Sequence, residues 1–393
     1  MKSKDVILFS TADWDTPYWT NKQHTAVHLA KMGYRVLYVE TVGIRPPKLS
    51  SGRDMTRIFK RLWRSFRGPS KARENVWVLS PLTVPFFHGS AFISMLNTWL
   101  LKAFLNVSLL ILRFNFPLIW TYHPYMLDAI KGIQYSKIAY HCVDDLSAIP
   151  GVDIESFRTS ERKLLEAVDV VFTTSEKLTQ HCKQYSHSVH FMPNVVDYEH
   201  FVNARDVQML PEDIACIPSP RIGYVGVLSN FKVDFKLVYE VAGRRPDWHW
   251  VFIGEEREGQ KDEMIQQLKA LPNVHFLGRK SYEVLPKYMA GLDVATLPTL
   301  INDYTSSMFP MKLFEYLASG VRVVSTPLQL GGVEYLDVKV ASDTDSFCTC
   351  LLQQIKKGKI GIQESRSQVG ANTWKARIEK MMNLLSVNVG PMY

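Results

Sequence analysis

Two adjacent acids and one lysine–glutamate pair are the residues of this chain best placed to do chemistry. Asp144 and Asp145 lie in the stretch Tyr140-His141-Cys142-Val143-Asp144-Asp145-Leu146-Ser147, just after an apolar run. A carboxylate at a strand end, facing a cleft, can take the proton of an attacking hydroxyl as a general base. One of the two acids also suits the N-cap of a helix opening at Leu146. His123, in Thr121-Tyr122-His123-Pro124, follows another apolar run and is the reserve base. Far along the chain, the segment from Ser306 through Pro310, Lys312 and Glu315 to Gly320 reads as a loop, a helix and a glycine C-cap. A helix starting near Pro310 aims its first N–H groups and the Lys312 ammonium at one place, which suits a diphosphate. Glu315, three residues on, shares the face of Lys312 and can accept hydrogen bonds from ribose hydroxyls.

These residues need elements to hold them. Val6-Ile7-Leu8-Phe9-Ser10 reads as a strand, Gln23 to Met32 as a helix stopped by Gly33, and Arg35 to Glu40 as a second strand. Strand, loop, helix, strand is the opening of a parallel α/β sheet. Further buried-strand candidates are Leu118–Tyr122, Ile138–Tyr140, Val170–Thr173 and Val189–Met192. A polar stretch through Pro211 and Pro218 then reads as a linker, after which a second series restarts at Arg221 and continues at Trp250, Val274, Val294 and Val321. At 393 residues the chain suits two such domains rather than one core. The expected division is 1–205, 206–370 and a returning C-terminal helix over 371–393, where Trp374, Ile378, Met381 and Leu384 follow a helical period. Two doubly wound sheets facing each other place a site in the cleft between them, at the carboxyl ends of their strands.

The pattern Pro310-x-Lys312-x-x-Glu315-Tyr316-x-Ala318-x-Gly320 resembles the donor-binding helix of GT-B glycosyltransferases, in particular the large group 1 family. Gly223-Tyr224-Val225-Gly226 is similar to the glycine loop opening their C-terminal domain, and Leu277-Gly278-Arg279 and Asp293-Val294-Ala295 continue the match. The resemblance implies an α/β GT-B fold of two Rossmann-like domains and a nucleotide diphosphate sugar as donor. Gly226, Arg279, Ser307, Met308, Lys312 and Glu315 are the implied donor residues. Retaining members carry two glutamates with seven residues between them; Glu315 matches the second, but Ser307 stands at the first.

Ser10-Thr11-Ala12-Asp13-Trp14-Asp15-Thr16-Pro17 and the loop holding Asp144 resemble the xanthan-type membrane-associated glucuronosyltransferases. Those are inverting GT-B enzymes that extend a polyprenyl-diphosphate-linked saccharide, and their catalytic aspartate matches Asp144. Their Ser-Ser-Met-Lys run is matched by Ser306-Ser307-Met308 and Lys312, with three residues inserted before the lysine. Asp13, Asn21 and Asp145 fall to the acceptor side of the cleft. Asp13-Trp14-Asp15 is spelled like a metal-binding DxD, but the GT-B match implies that neither a metal nor any other cofactor is required.

The net charge of +8 is unevenly spread: between Arg45 and Arg73 the basic residues face a single aspartate, Asp54. Within that run Met55, Ile58, Phe59, Leu62, Trp63 and Phe66 form one helical face, and Arg57, Lys60, Arg61, Arg64 and Arg67 the remainder. A basic amphipathic helix with Trp and Phe on its apolar side reads as an in-plane anchor on an anionic membrane. The stretch from Ala91 to Leu112 is long enough to span a bilayer, but Asn97, Lys102 and Asn106 interrupt it, so a buried or interfacial helix is expected. The amino-terminal run is too short for a signal-peptide core, and the five cysteines have neither disulfide nor zinc spacing. The expectation is a cytoplasmic enzyme, peripheral on the inner face of the cell membrane. It transfers a hexose or uronic acid onto a lipid-linked saccharide in surface polysaccharide assembly, by inversion with an aspartate base. The alternatives are a nucleotide-sugar epimerase of the same fold and a basic nucleic-acid-binding protein. The one-sided amphipathic pattern argues against nucleic acid as a partner, since it offers no aromatic-studded groove.

Overall fold

The computed structural model describes residues 4–16, 19–41, 65, 67–82, 91–149, 151–256, 261–328, 330 and 335–387. The chain forms two compact units, Met1–Met192 with Ile378–Tyr393, and Pro193–Arg377.

The first unit holds an eight-stranded sheet: β1 (Asp5–Ser10), β2 (Arg35–Glu40), β3 (Ser70–Arg73), β4 (Val76–Leu79), β5 (Leu118–Thr121), β6 (Ile138–Cys142), β7 (Val170–Thr173) and β8 (Val189–Phe191). The spatial order is β3-β4-β2-β1-β5-β6-β7-β8, parallel except for the β3–β4 pair. β1, β5, β6 and β7 are buried at every residue, as strands covered on both faces must be, which is why they read as unbroken apolar runs. On one side of the sheet Ile7, Phe9, Leu37 and Ile119 pack with Leu101 and Leu105 of the helix Ala91–Leu112. The opposite flank of that helix is apolar and exposed: Met95, Trp99, Val107, Leu110 and Ile111 all face out. The stretch expected to be buried or interfacial is thus a continuous helix with one face in the core and several large apolar side chains exposed on another.

The second unit holds β9 (Arg221–Val225), β10 (His249–Ile253), β11 (Val274–Phe276), β12 (Val294–Leu297), β13 (Arg322–Ser325) and β14 (Val338–Val340). All are parallel, in the order β11-β10-β9-β12-β13-β14. Its core gathers Ile222, Trp250, Phe252 and Val294 from the strands with Val238, Val241, Phe347 and Leu351 from the helices Phe235–Arg244 and Thr344–Lys357.

The units divide at 192/193, not at 205/206. The polar stretch after β8 is not an extended linker: its helix Tyr198–Val202 packs on the helices Leu285–Ala290 and Lys312–Ala318, with Phe201 fully buried. Arg205, the last residue expected in the first domain, donates to the Ile360 carbonyl at 2.7 Å and lies against Gly320. At the other end, Trp374–Val387 is one helix, and the chain rejoins the first unit at Ile378 rather than at 371. There the Lys137 ammonium donates to the Leu385 carbonyl at 2.8 Å.

Candidate active site

In the first sheet the chain leaves β1 toward β2 on one side and later resumes with β5 on the other, so the order reverses between β1 and β5. The carboxyl ends of strands at such a switch point are where open α/β sheets bind ligands. The loop after β1 is held firmly there. The Tyr38 hydroxyl donates to the Ala12 carbonyl at 2.9 Å, the Trp14 N–H to Glu40 at 2.6 Å, and the Gln23 amide to the Asp13 carbonyl at 3.0 Å. Asp13 therefore sits half-buried on a fixed backbone. Asn21 opens the helix Asn21–Lys31, is buried, and receives at its carbonyl the Tyr122 hydroxyl from the end of β5 at 3.1 Å. His123 is also buried, but its Nδ1 accepts the Tyr125 N–H at 3.3 Å and caps the short turn Pro124–Met126. That bond places the ring proton on Nε2, so His123 is committed to its turn and does not stand as a free base.

The two neighbouring acids have separate fates. Asp145 caps the turn Leu146–Ala148, accepting from the Ser147 N–H at 3.2 Å and its hydroxyl at 2.5 Å. Its two oxygens also accept from Nη2 of Arg158, at 3.0 and 2.9 Å. Arg158 reaches on to Glu161, which accepts from the Tyr140 hydroxyl and pairs with His181 at 3.0 Å. Burial works against the Arg158 charge, but Asp145 and Glu161 outweigh it and hold the guanidinium above its ordinary pKa. Asp145, expected on the acceptor side, thus serves the fold: Oδ1 accepts from Ser147 and Arg158, and Oδ2 from Arg158. Asp144, one residue earlier, is half-buried and makes no hydrogen bond or ion pair among the described residues. It is the acid left open at the end of β6.

In the second sheet the order reverses between β9 and β12. Three glycines line the carboxyl ends of neighbouring strands. The Gly226 N–H donates to the Ile253 carbonyl at 3.0 Å and the Gly254 N–H to the Gly278 carbonyl at 2.9 Å. A Cβ at Gly254 would stand 1.8 Å from the Gly226 oxygen, so only glycine lets the two backbones meet. Arg279, just beyond, is half-exposed, with Glu255 at 4.0 Å.

The segment after β12 winds through the turn Thr305–Ser307 before the helix Lys312–Ala318. The Ser307 hydroxyl bonds the Asp303 carbonyl at 3.2 Å, and the N–H groups of Ser307 and Met308 close onto Tyr304 and Thr305. These groups shape the turn, and their donors are already used. The helix starts at Lys312, not Pro310, and is fastened to β9 by the Tyr316 hydroxyl, which receives the Val225 N–H at 2.9 Å. The Phe309 carbonyl accepts from the Asn194 amide at 2.6 Å. The Lys312 ammonium and the buried Glu315 carboxylate meet at 2.6 Å, so the expected phosphate and ribose groups stand together as an ion pair. Gly320 closes the helix at φ +78.

The expected membrane residues Arg57, Phe59, Lys60, Arg61, Leu62, Trp63, Arg64 and Phe66 lie outside the described residues; Arg67 is exposed. Motif reading missed Arg158, whose position on a separate helix gives no local signal. It also missed Lys22, hidden in the polar run Asn21-Lys22-Gln23-His24, all four of which are buried.

Residues 219–356 match the family model described as glycosyl transferases, group 1. The matched stretch lies within the second unit. Over the full length, the chain superimposes on sucrose-phosphate synthase from Thermosynechococcus elongatus with a TM-score of 0.72, at 14% identity and covering 98% of each chain. Against Anabaena HepE in complex with UDP and glucose the TM-score is 0.62, at 14% identity, covering 98% of this chain and 97% of that one. The fold is GT-B. Among curated proteins, 210 residues are 29% identical to TuaH of Bacillus subtilis (strain 168), a protein named for a glycosyltransferase role in teichuronic acid biosynthesis. The match takes in 50% of this chain and spans about half, 51%, of the length of that relative. Gly226, Arg279, Ser307, Met308, Lys312 and Glu315 all fall inside the matched stretch; Asp13, Asn21, His123, Asp144 and Asp145 precede it.

Proposed function

We propose that this protein transfers a hexose or uronic acid from a nucleoside diphosphate sugar to a lipid-linked saccharide in surface polysaccharide assembly, inverting the anomeric carbon. The observation that carries the reading is the group 1 domain, with the Lys312–Glu315 pair inside it. Lys312 takes the leaving diphosphate and Glu315 the ribose hydroxyls. Asp144, the open carboxylate of the first unit, serves as base: the acceptor hydroxyl attacks the anomeric carbon, its proton passes to Asp144, and the bond to the diphosphate breaks with the electron pair leaving on phosphate. Ser307 in place of the first glutamate of the retaining pair favours this single-base scheme. The cationic side chain does what a metal does elsewhere, so no metal is required. The names of TuaH and of the HepE complex agree with a polysaccharide product and a uridine diphosphate donor. The test is transfer from an α-linked nucleotide sugar to a lipid-linked saccharide, with the product read by NMR. A β-linked product is expected; an α-linked one overturns inversion, and hydrolysis or isomerisation without transfer overturns the reading itself.

The same reading makes the protein peripheral on the inner face of the cell membrane. Two features support it: the basic run from Arg45 to Arg73, and the uncovered apolar flank of the helix Ala91–Leu112, where Trp99 is 65% and Leu110 79% exposed. Large uncovered apolar patches mark interaction surfaces, and cations near an anionic bilayer contribute about 1 kcal/mol each. Trp99→Ser with Leu110→Ser is expected to release the protein from vesicles containing anionic lipid, and raised salt to release the unaltered chain in part. Unchanged sedimentation under both treatments removes the membrane from the reading.

A further inference from the structure

Lys22 is a charged group that the transfer scheme leaves unused. It is the second residue of the eleven-residue helix Asn21–Lys31 and only 7% exposed. Its ammonium makes no hydrogen bond and no ion pair among the described residues. It lies over the ring of Tyr122, 5.3 Å from the centroid, and the negative charge that acts on it is that of Asp144. A buried ammonium is kept in proteins when a partner of opposite charge compensates its lost hydration; a ring face does so only in part. Burial holds the amine below its ordinary pKa, and Asp144 opposes that in part without pairing with it.

Tyr122 follows β5, Asp144 follows β6, and the helix bearing Lys22 follows β1, all at the carboxyl edge of adjacent parallel strands. Side chains of a helix lean toward its N-terminus, so Lys22 points to the end where the helix's own N–H groups also point. A buried cation, a helix start and a sheet switch point thus converge beside the open carboxylate.

We infer that Lys22 is the contact for an anionic oxygen of the acceptor, a phosphate or a sugar carboxylate, which it holds at the ends of β1 and β5 next to Asp144. The inference rests on the transferase reading for the word acceptor, but the anion site stands on Lys22 alone. Its role in transfer is positioning: the anion is fixed on one side and the attacking hydroxyl is brought to Asp144 on the other.

Thermal shift with two probes tests it, inorganic pyrophosphate for the phosphate source and glucuronate for the carboxylate source. The background is Lys312→Ala, which removes the lysine assigned to the donor diphosphate. One probe is expected to raise the melting temperature, since a ligand that binds the folded state stabilises it. Adding Lys22→Met should weaken that probe's affinity roughly 10- to 100-fold, as for a lost charge-assisted contact, while leaving the probe-free melting temperature unchanged or higher. In the otherwise unaltered enzyme, Lys22→Met should raise the acceptor KM and spare the donor KM, and Lys22→Arg should recover part of the loss. A shift that persists in Lys22→Met, or no shift with either probe, overturns the site. So does a Lys22→Met protein that melts several degrees lower before any probe is added. Anion binding through Lys22 without sugar transfer would leave the site standing and remove the transferase reading.

Discussion

Asp144→Asn is expected to lower turnover by roughly 10²–10⁴-fold while donor affinity is kept, because the amide fills the same space but takes no proton. Asp145 supplies the internal control. Asp145→Asn removes one of the two charges that hold Arg158 and weakens the network running through Glu161 to His181. With Arg158 about one-third exposed, the loss is expected at about 1–2 kcal/mol of stability, read as a lower melting temperature, with turnover close to normal under conditions where the protein stays folded. The two neighbours are thus expected to fail in different assays. An Asp144→Asn enzyme with near-normal turnover would return the base to His123, whose ring would first have to release the Tyr125 N–H.

The second large effect belongs to Lys312. Lys312→Ala is expected to raise the donor KM or abolish activity, a charge-assisted contact to phosphate contributing roughly 1.5–3 kcal/mol, about 10- to 150-fold. The same change leaves the buried Glu315 carboxylate without its 2.6 Å partner, so stability must be followed alongside. Glu315→Gln in the same chain separates the effects: it relieves an unpaired carboxylate and restores the melting temperature, but it does not restore a lost diphosphate contact. A donor KM within twofold of the unaltered enzyme would take Lys312 out of the donor site.

The strands that carry chemistry were legible because burial on both faces writes them as continuous apolar runs. β3 and β14 were not: Ser70–Arg73 is exposed throughout, and Val338–Val340 is a three-residue edge strand interrupted by Lys339. β4, four residues long and next to the basic run, was also passed over. The domain boundary was misplaced because a polar stretch with two prolines reads as linker, although Tyr198 and Phe201 inside it are core residues. The meeting of Lys312 and Glu315 was readable from spacing, since residues three apart on a helix share a face. The Asp144–Asp145 pair was readable only as a pair. What separates them is Arg158, thirteen positions beyond Asp145. Lys22 was invisible for a further reason: amphipathic arithmetic assigns polar residues at a helix start to solvent, and here the fold buries them.

The division of the chain has a consequence for its biogenesis. The first unit is built from residues up to Met192 and again from Ile378 onward, with Ile378, Met381 and Leu385 buried and the Lys137–Leu385 bond closing a separation of 248 residues. Synthesis delivers the chain from its amino end, and domains ordinarily fold in that order as they emerge. Here the earlier-made unit waits for residues translated after the entire second unit, so the later-made unit is the first able to complete its own core. Until Ile378–Leu385 has been made, nascent first-unit intermediates therefore keep open the apolar surface that this segment covers.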